Sequence, residues 1–489
     1  MGRLFSLLLC ALLVHAEEFA LTGARRDALE RIRADSLRGH VSFLASDLLE
    51  GRATPSRGLD IAAEYVAAQF RRAGLEPGGD EGYFQTANWV TREMNPEGLE
   101  FTLETGERKL HAAVDHISMP SPGAVTLESA PVVKVKLDDP DSVTEELVRG
   151  KVVLAFRPDG QRRFREFART RTRLRELGAA LIISTVGVQG AEDTTLVDPN
   201  EPARSQVKTV IVTDADFVKF LEAAPVGAID AKATVRIGGP IEKPAKLKNV
   251  IGILRGTDPA MADTCVLVSA HYDHVGIGRP QDGDRIYNGA NDDASGTSAL
   301  MELAAAFNGL QPHPRRSIVF AAWFGEERGL LGSKYYVRHP IFPLRKTVAN
   351  VNLEHLGRTD TDDGKQVENF TLTGYDFSTV PDTMKAAATL AGVHVYKNEE
   401  KSDVFFDRSD NQAFADAGVP AHTIAVAFEF SDYHRPGDHW EKLDYPNFEK
   451  VTRAIGAGVL MLASSDEAPK WNESNPKAAK YVEAARQPK

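Results

Sequence analysis

The stretch VFAAWFGEERGLLGS runs from Val319 to Ser333. An unbroken apolar run, Val319 to Phe324, stops at Gly325 and is followed at once by Glu326 and Glu327. A run that short, closed by glycine, reads as a strand buried on both faces, the kind found in parallel sheets. Two carboxylates at the end of such a strand need partners, because unpaired charge is costly to bury.

The same form recurs on both sides of it. NVIGIL begins at Asn249, TCVLVSA at Thr264, TVANVNL at Thr347 and HTIAVA at His422, and the helical segment GTSALMELAAAF begins at Gly296. Strands alternating with helices predict an α/β fold, a mixed and mostly parallel sheet with helices on both faces.

Ligand sites of open α/β sheets lie beyond the carboxyl ends of their strands. His271, Asp273 and His274 follow TCVLVSA, and Asp292 and Asp293 open the helical segment. Glu326 and Glu327 end the third run, and Glu354 and His355 end the fourth. Asp432, His434, Asp438 and His439 follow the last. Converging strand ends of this composition concentrate negative charge that only cations can offset. Imidazole with carboxylate oxygen suits Zn²⁺ or a similar divalent ion. Two histidines and at least three carboxylates exceed one tetrahedral site with an open position, so two ions sharing a bridging carboxylate fit better.

Composition narrows the function class. The chain has 489 residues, 42% hydrophobic and 26% charged, as in soluble globular proteins, and its length implies more than one domain. With 69 acidic against 58 basic residues the net charge is -11, which argues against nucleic acid as a partner. The N-terminal MGRLFSLLLCALLVHA has a basic start, an apolar stretch and a small-residue ending at Ala16. That pattern predicts a cleaved signal peptide over 1–16 and a secreted or periplasmic protein. The apolar part is shorter than the about 20 residues needed to cross a bilayer, so no stable membrane insertion is expected. Cys10 follows Leu9 rather than a small residue, which disfavours a lipoprotein signal. Only Cys265 would then remain, excluding an intrachain disulfide and a cysteine zinc site.

SAHYDHVG, NGANDDASGTSALMELA, FGEERGLLGS, VNLEHLGR and SDYHRPGDHWEKLDY occur in that order between 249 and 465. Together they resemble the successive motifs of the secreted co-catalytic di-zinc aminopeptidases, whose relatives include glutamate carboxypeptidase II. HVSFLASDLLEGRATPSRG resembles the start of bacterial members. GKVVLAFR and LGAALIIST resemble the protease-associated domain inserted in many of them. The resemblance implies two Zn²⁺ per chain, with His271 and Glu354 on one, Glu327 and His434 on the other, and Asp292 bridging. It implies that Asp273 orients the His271 ring, the support a ligating histidine needs. It makes Glu326 the general base that deprotonates a metal-bridging water and protonates the leaving amine. Glu354 departs from the family pattern, in which aspartate is common, and His355 stands where an apolar residue is frequent.

The implied activity is hydrolysis of N-terminal peptide bonds in a peptide or small amide. A carboxypeptidase with the same ligands, a single-zinc glutaminyl cyclase and a non-catalytic binding ectodomain are the alternatives. Arg279, Arg285 and Arg408 keep the carboxypeptidase reading open, because they could meet a carboxylate. His274 and His439 are expected to support or rim the site, Asp293 to favour a helix start, and Asp438 to bond near His434. Asp410 is expected to shape the pocket or cap a helix, and Cys265 to be core. The expected domains are 17–130 and 241–465 as the peptidase, 131–240 as the insert, and 466–489 as a polar tail that frays. Nothing in the sequence fixes an oligomeric state.

Overall fold

The computed structural model describes residues 21, 23–106, 108–156, 164–185, 194–200, 207–361 and 363–487. The expected signal peptide over 1–16 and Cys10 lie outside them. The chain divides into two compact units, one of residues 1–87 with 247–489 and one of residues 88–246.

In the first unit the apolar runs become the strands of one sheet. Within this unit its strands run in the order His394–Tyr396, Asn369–Leu372, Ala421–Ala425, Thr347–Leu353, Cys265–His271, Ser317–Trp323, followed by Ile241–Leu254 and Phe84–Glu93, through which the chain passes to and from residues 88–246. The four strands from Ala421–Ala425 to Ser317–Trp323 are parallel, and Ile241–Leu254 pairs antiparallel beside them. The fold is therefore the mixed, mostly parallel α/β arrangement that the runs imply. Register puts His271 opposite Trp323, Ser269 opposite Asn352 and Leu353 opposite Ile424. The chemistry-bearing residues thus leave the sheet along one edge.

Both faces of the sheet are covered, as the lack of alternation requires. Phe320 packs against Phe307 and Phe70, from the helices Gly296–Asn308 and Arg57–Arg72. Trp323 points the other way and meets Tyr336 and Phe414, from Leu331–Arg338 and Asn411–Asp416. Gly296 lets its helix approach closely, since a Cβ there would stand 2.2 Å from the Leu353 carbonyl.

The expected fraying tail is a packed part of this unit. Trp471 stacks on Tyr481 at 5.0 Å between ring centroids, and Ala478 and Val482 are buried beside them. Few apolar residues in a polar segment hid the helix Ala479–Arg486, whose stability comes from one face rather than its composition.

The second unit has an eight-stranded sheet. Its order is Arg108–His111, Glu100–Thr105, Gly227–Ile237, Val125–Lys136, Val152–Phe156, Leu181–Ser184, Lys208–Val212, Ile117–Ser118. This corrects the expected boundary at 131, which falls inside Val125–Lys136. Glu100–Thr105 pairs with Gly227–Ile237, with Thr102 opposite Thr234, so residues before 131 belong to this unit. Such long-range pairing leaves no local mark in a sequence.

Candidate metal centre

His271, Asp292, Glu327, Glu354, His355 and His434 gather beyond the carboxyl ends of the parallel strands, although they arrive on different elements. His271 is the last residue of its strand, and its Nε2 lies 3.3 Å from Asp292 Oδ1. Asp292 stands just before the buried helix Gly296–Asn308. Asp438 holds that loop by accepting the backbone N–H groups of Asn291 and Asp292 at 2.9 and 3.1 Å. Asp293 Oδ1 accepts the Gly296 N–H at 3.0 Å, the helix-start role expected of it.

Asp292 faces imidazoles with both of its oxygens. Oδ1 lies 3.3 Å from His271 Nε2 and 3.5 Å from His355 Nε2. Oδ2 lies 3.1 Å from His434 Nε2 and 3.7 Å from His274 Nδ1. Glu327 divides in the same way, with Oε1 at 2.8 Å from His274 Nδ1 and Oε2 at 3.2 Å from His434 Nε2. Potential ligand atoms of His274, Asp292, Glu327 and His434 all lie within 4.8 Å of one another.

The electrostatics reflect this crowding. Burial and Asp292 act to raise the Glu327 carboxyl, but His274 and His434 hold it down at about 2. Burial would lower His434 and His355, yet Asp292, joined at His434 by Glu327, lifts them to about 10 and about 9. The carboxylates draw positive charge to this place, and a bound cation could supply it. Glu326 behaves differently. Desolvation, with Glu327, Glu354 and Asp410 nearby, pushes its carboxyl well above the usual range despite His271. Its backbone N–H donates to Asp273 Oδ1 at 3.1 Å, which ties the turn after Gly325 to the His271 loop.

One support takes a different form from the expected one. The His271 Nδ1 hydrogen bond goes to the Asp273 backbone carbonyl at 3.1 Å, with the Asp273 carboxylate at 3.6 Å. That carboxylate is instead shared between Glu326 N and Thr54 Oγ1. Behind the loops lies Arg52, fully buried, donating to the carbonyls of Tyr272, Asn288 and Gly289 at 2.8–2.9 Å. One guanidinium thereby joins the loop after His271 to the loop before Asp292.

Glu354 accepts from Ser409 Oγ and from Asn352 Nδ2, the latter at 3.2 Å. His355, with φ of 51°, turns its Nδ1 to the Ala427 carbonyl at 3.1 Å, and this directs Nε2 at Asp292. Asp410 binds Ser333 Oγ, and burial pushes its carboxyl up to about 7. His439 lies 3.8 Å from Asp284, outside the cluster. Cys265 is core, with burial raising its thiol to about 12.

A cavity opens onto the cluster, lined by His271, Glu326 and Glu354 and walled by Phe405, Phe428 and Tyr433. Arg408 also lines it, its guanidinium 4.4 Å above the Phe405 ring. Arg279 and Arg285 lie exposed on the hairpin Gly276–Tyr287.

Residues 249–459 match the model of Peptidase family M28. The match spans less than half of the chain. Over 454 residues the chain is 26% identical to the probable lipoprotein aminopeptidase LpqL of Mycobacterium tuberculosis, covering 87% of this chain and 81% of that one. It is 27% identical over 237 residues to aminopeptidase YwaD of Bacillus subtilis, covering 47% and 48%. The aminopeptidase from Aneurinibacillus sp. strain AM-1 shares the fold at a TM-score of 0.59 and 22% identity, covering 90% of this chain and 96% of that one. All of the cluster residues, His271 to His434, fall within the matched region.

The residues test well against a metal. His274 Nδ1 and Nε2, Glu327 Oε1 and Asp293 Oδ2 are buried without a hydrogen-bond partner. Orphaned lone pairs on imidazole and carboxylate are what a divalent ion satisfies.

Proposed function

We propose that the chain is a secreted zinc exopeptidase that removes N-terminal residues from peptides. The observation that carries this reading is the double orientation of Asp292, whose two oxygens address imidazoles on opposite sides. A carboxylate placed so is suited to bridge two ions. His271 and Glu354 would hold one Zn²⁺, and Glu327 and His434 the other, with Asp292 between. Zinc bound there would polarise the scissile carbonyl and make water acidic enough to attack near neutral pH.

The protein's own groups would do the rest. Glu326, raised by burial and by its acidic neighbours, takes the proton of the attacking water and returns it to the departing amine. Asp273 fixes the Glu326 backbone through its 3.1 Å hydrogen bond, so the base keeps its place at the cavity wall. Phe405 and Phe428, stacked at 5.1 Å, offer an apolar surface to the side chain next to the cleaved bond. The relatives named as aminopeptidases support attack at the N-terminus, and the one named as a lipoprotein supports an extracytoplasmic site.

One observation favours a second reading. Arg408 at the cavity could receive a substrate carboxylate, as a carboxypeptidase requires. The unit 88–246 is read here as the protease-associated insert. Free aminoacyl, N-blocked and C-terminal amide substrates, each with a chelator control, test the assignment. Turnover confined to free amino termini supports the aminopeptidase, and turnover of N-blocked peptides with a free carboxylate overturns it.

A further inference from the structure

Four imidazoles surround Asp292, and burial fixes three of them. The side chains of His271, His274 and His355 are 2%, 0% and 8% exposed, whereas that of His434 is 38% exposed. His271 and His355 also turn Nδ1 to a backbone carbonyl. Among the described residues no carbonyl does this for His434, whose ring stacks at 4.0 Å on Tyr433 of its own loop. Its φ is 52°, a conformation that persists in a residue with a side chain only where the surroundings impose it. We infer that the guanidinium of Arg358 imposes it, gripping Asp432 so that His434 is kept over Asp292 and Glu327. Arg358 is then a positioning residue of the metal centre. This rests on the reading of His434 as a metal ligand and extends it.

Arg358 follows Glu354 closely, just beyond the buried strand Thr347–Leu353. Its backbone is tied to the loop that carries Asp292. The N–H groups of Gly357 and Arg358 donate to Asn291 Oδ1 at 2.8 and 2.9 Å. Its side chain is 3% exposed and directs its donors at carboxylates. Nε and Nη2 form a fork with Asp360 at 2.6 and 2.5 Å, and Nη1 donates to Asp432 Oδ2 at 3.0 Å. The guanidinium also lies over the Phe430 ring, 5.2 Å from its centroid. Phe430 and Asp432 precede His434 in the loop, and Asp438 follows it. Asp438 keeps Oδ1 4.0 Å from Nη1, while its Oδ2 accepts the N–H groups of Asn291 and Asp292. One buried cation thus holds the loop on both sides of His434 and joins it to the loop of Asp292.

The competing role is an ion pair that stabilises the fold without bearing on the metal. Lys442 is of that kind, reaching the same Asp432 oxygen at 2.8 Å from an exposed position where pairs contribute little. Arg358 differs because burial leaves its charge no water to turn to, so its partners stay where the guanidinium puts them. A planar set of donors serves Asp360 and Asp432 together, and lysine cannot reproduce it.

Co²⁺ titration of the full chain, followed by visible absorption, tests this in Arg358→Lys, Asp432→Ala and the double variant. Urea unfolding of each metal-free chain runs alongside. Lysine keeps the charge that Asp438 faces and gives up the fork. Each single variant is expected to weaken one ion by about 10–100-fold, the range for outer partners of a ligand, and to leave the other within about threefold. The double variant is expected to cost no more than the larger single loss, since both changes act through one contact. A merely structural pair would lower the urea midpoint and leave Co²⁺ affinity unmoved. A loss below about tenfold in either single variant, an equal loss of both ions, or single losses that multiply in the double variant overturns the assignment. Should Arg358→Lys misfold, Asp432→Ala decides alone, at a side chain 20% exposed. If the wild-type chain binds one ion, the two-ion reading fails, and the threshold of about tenfold on that ion still decides the role of Arg358.

Discussion

Replacing Glu326 by glutamine separates the base from the ligands, although the two glutamates are adjacent. The substitution conserves shape and removes one ionisable oxygen. Glu327 contacts His274 and His434 through its own oxygens, and none of these separations involves Glu326. Metal content should therefore be unchanged. The lost function is proton transfer, which a positioned group accelerates by about 10²–10⁴-fold. At about 1.4 kcal/mol per decade this is about 3–5 kcal/mol on the barrier. Steady-state kinetics on an aminoacyl chromogenic substrate, with elemental analysis of the same samples, reads both quantities. Kcat should fall while KM and metal content hold. A variant that loses a metal equivalent, or that keeps kcat within about tenfold, would refute the division of roles.

Glu327→Ala should lose one metal equivalent and activity together, as measured by elemental analysis and turnover, because both Glu327 oxygens face imidazoles of the cluster. His422 is buried between Ser378 Oγ and the Thr373 carbonyl, and burial lowers it from 6.5 to about 4. Because the unfolded chain takes up this proton first as pH falls, the contribution is complete above about 6.5 and is lost on descending to about 4. Its size is about 3 kcal/mol, from about 1.4 kcal/mol per unit. Urea titrations of metal-free wild type and His422→Gln across that window should show the wild type losing stability by this much more, and parallel curves would contradict it. Residues 88–246 expressed alone should unfold cooperatively on heating, whereas 131–240 should not, since it lacks the partner strand of Gly227–Ile237.

Much of the sheet was legible because strands buried on both faces are continuous apolar runs, and a glycine or charge ends each. The strand-end residues that gather around Asp292 were legible for the same reason, as charge at a buried strand end is conspicuous. That His274 and His355 also face Asp292 was not, since this depends on ring direction. A left-handed backbone at His355 and a glycine cradle at His274 set those directions, and neither shows in a string of residues. Arg52 lies far from the strand ends in sequence, and its partners are backbone carbonyls, which every residue carries. The domain boundary and the C-terminal helix were hidden because pairing across long separations and docking of a single face decide them.

Two ions acting together in one exopeptidase centre are the core of the proposed chemistry, so the most direct measurement is reactivation. The protein is stripped with a chelator and titrated with Zn²⁺ while hydrolysis of a free aminoacyl substrate is followed. Activity should be absent in the stripped protein and reach its plateau at two equivalents per chain. A plateau at one equivalent, or turnover that survives metal removal, would contradict the central claim.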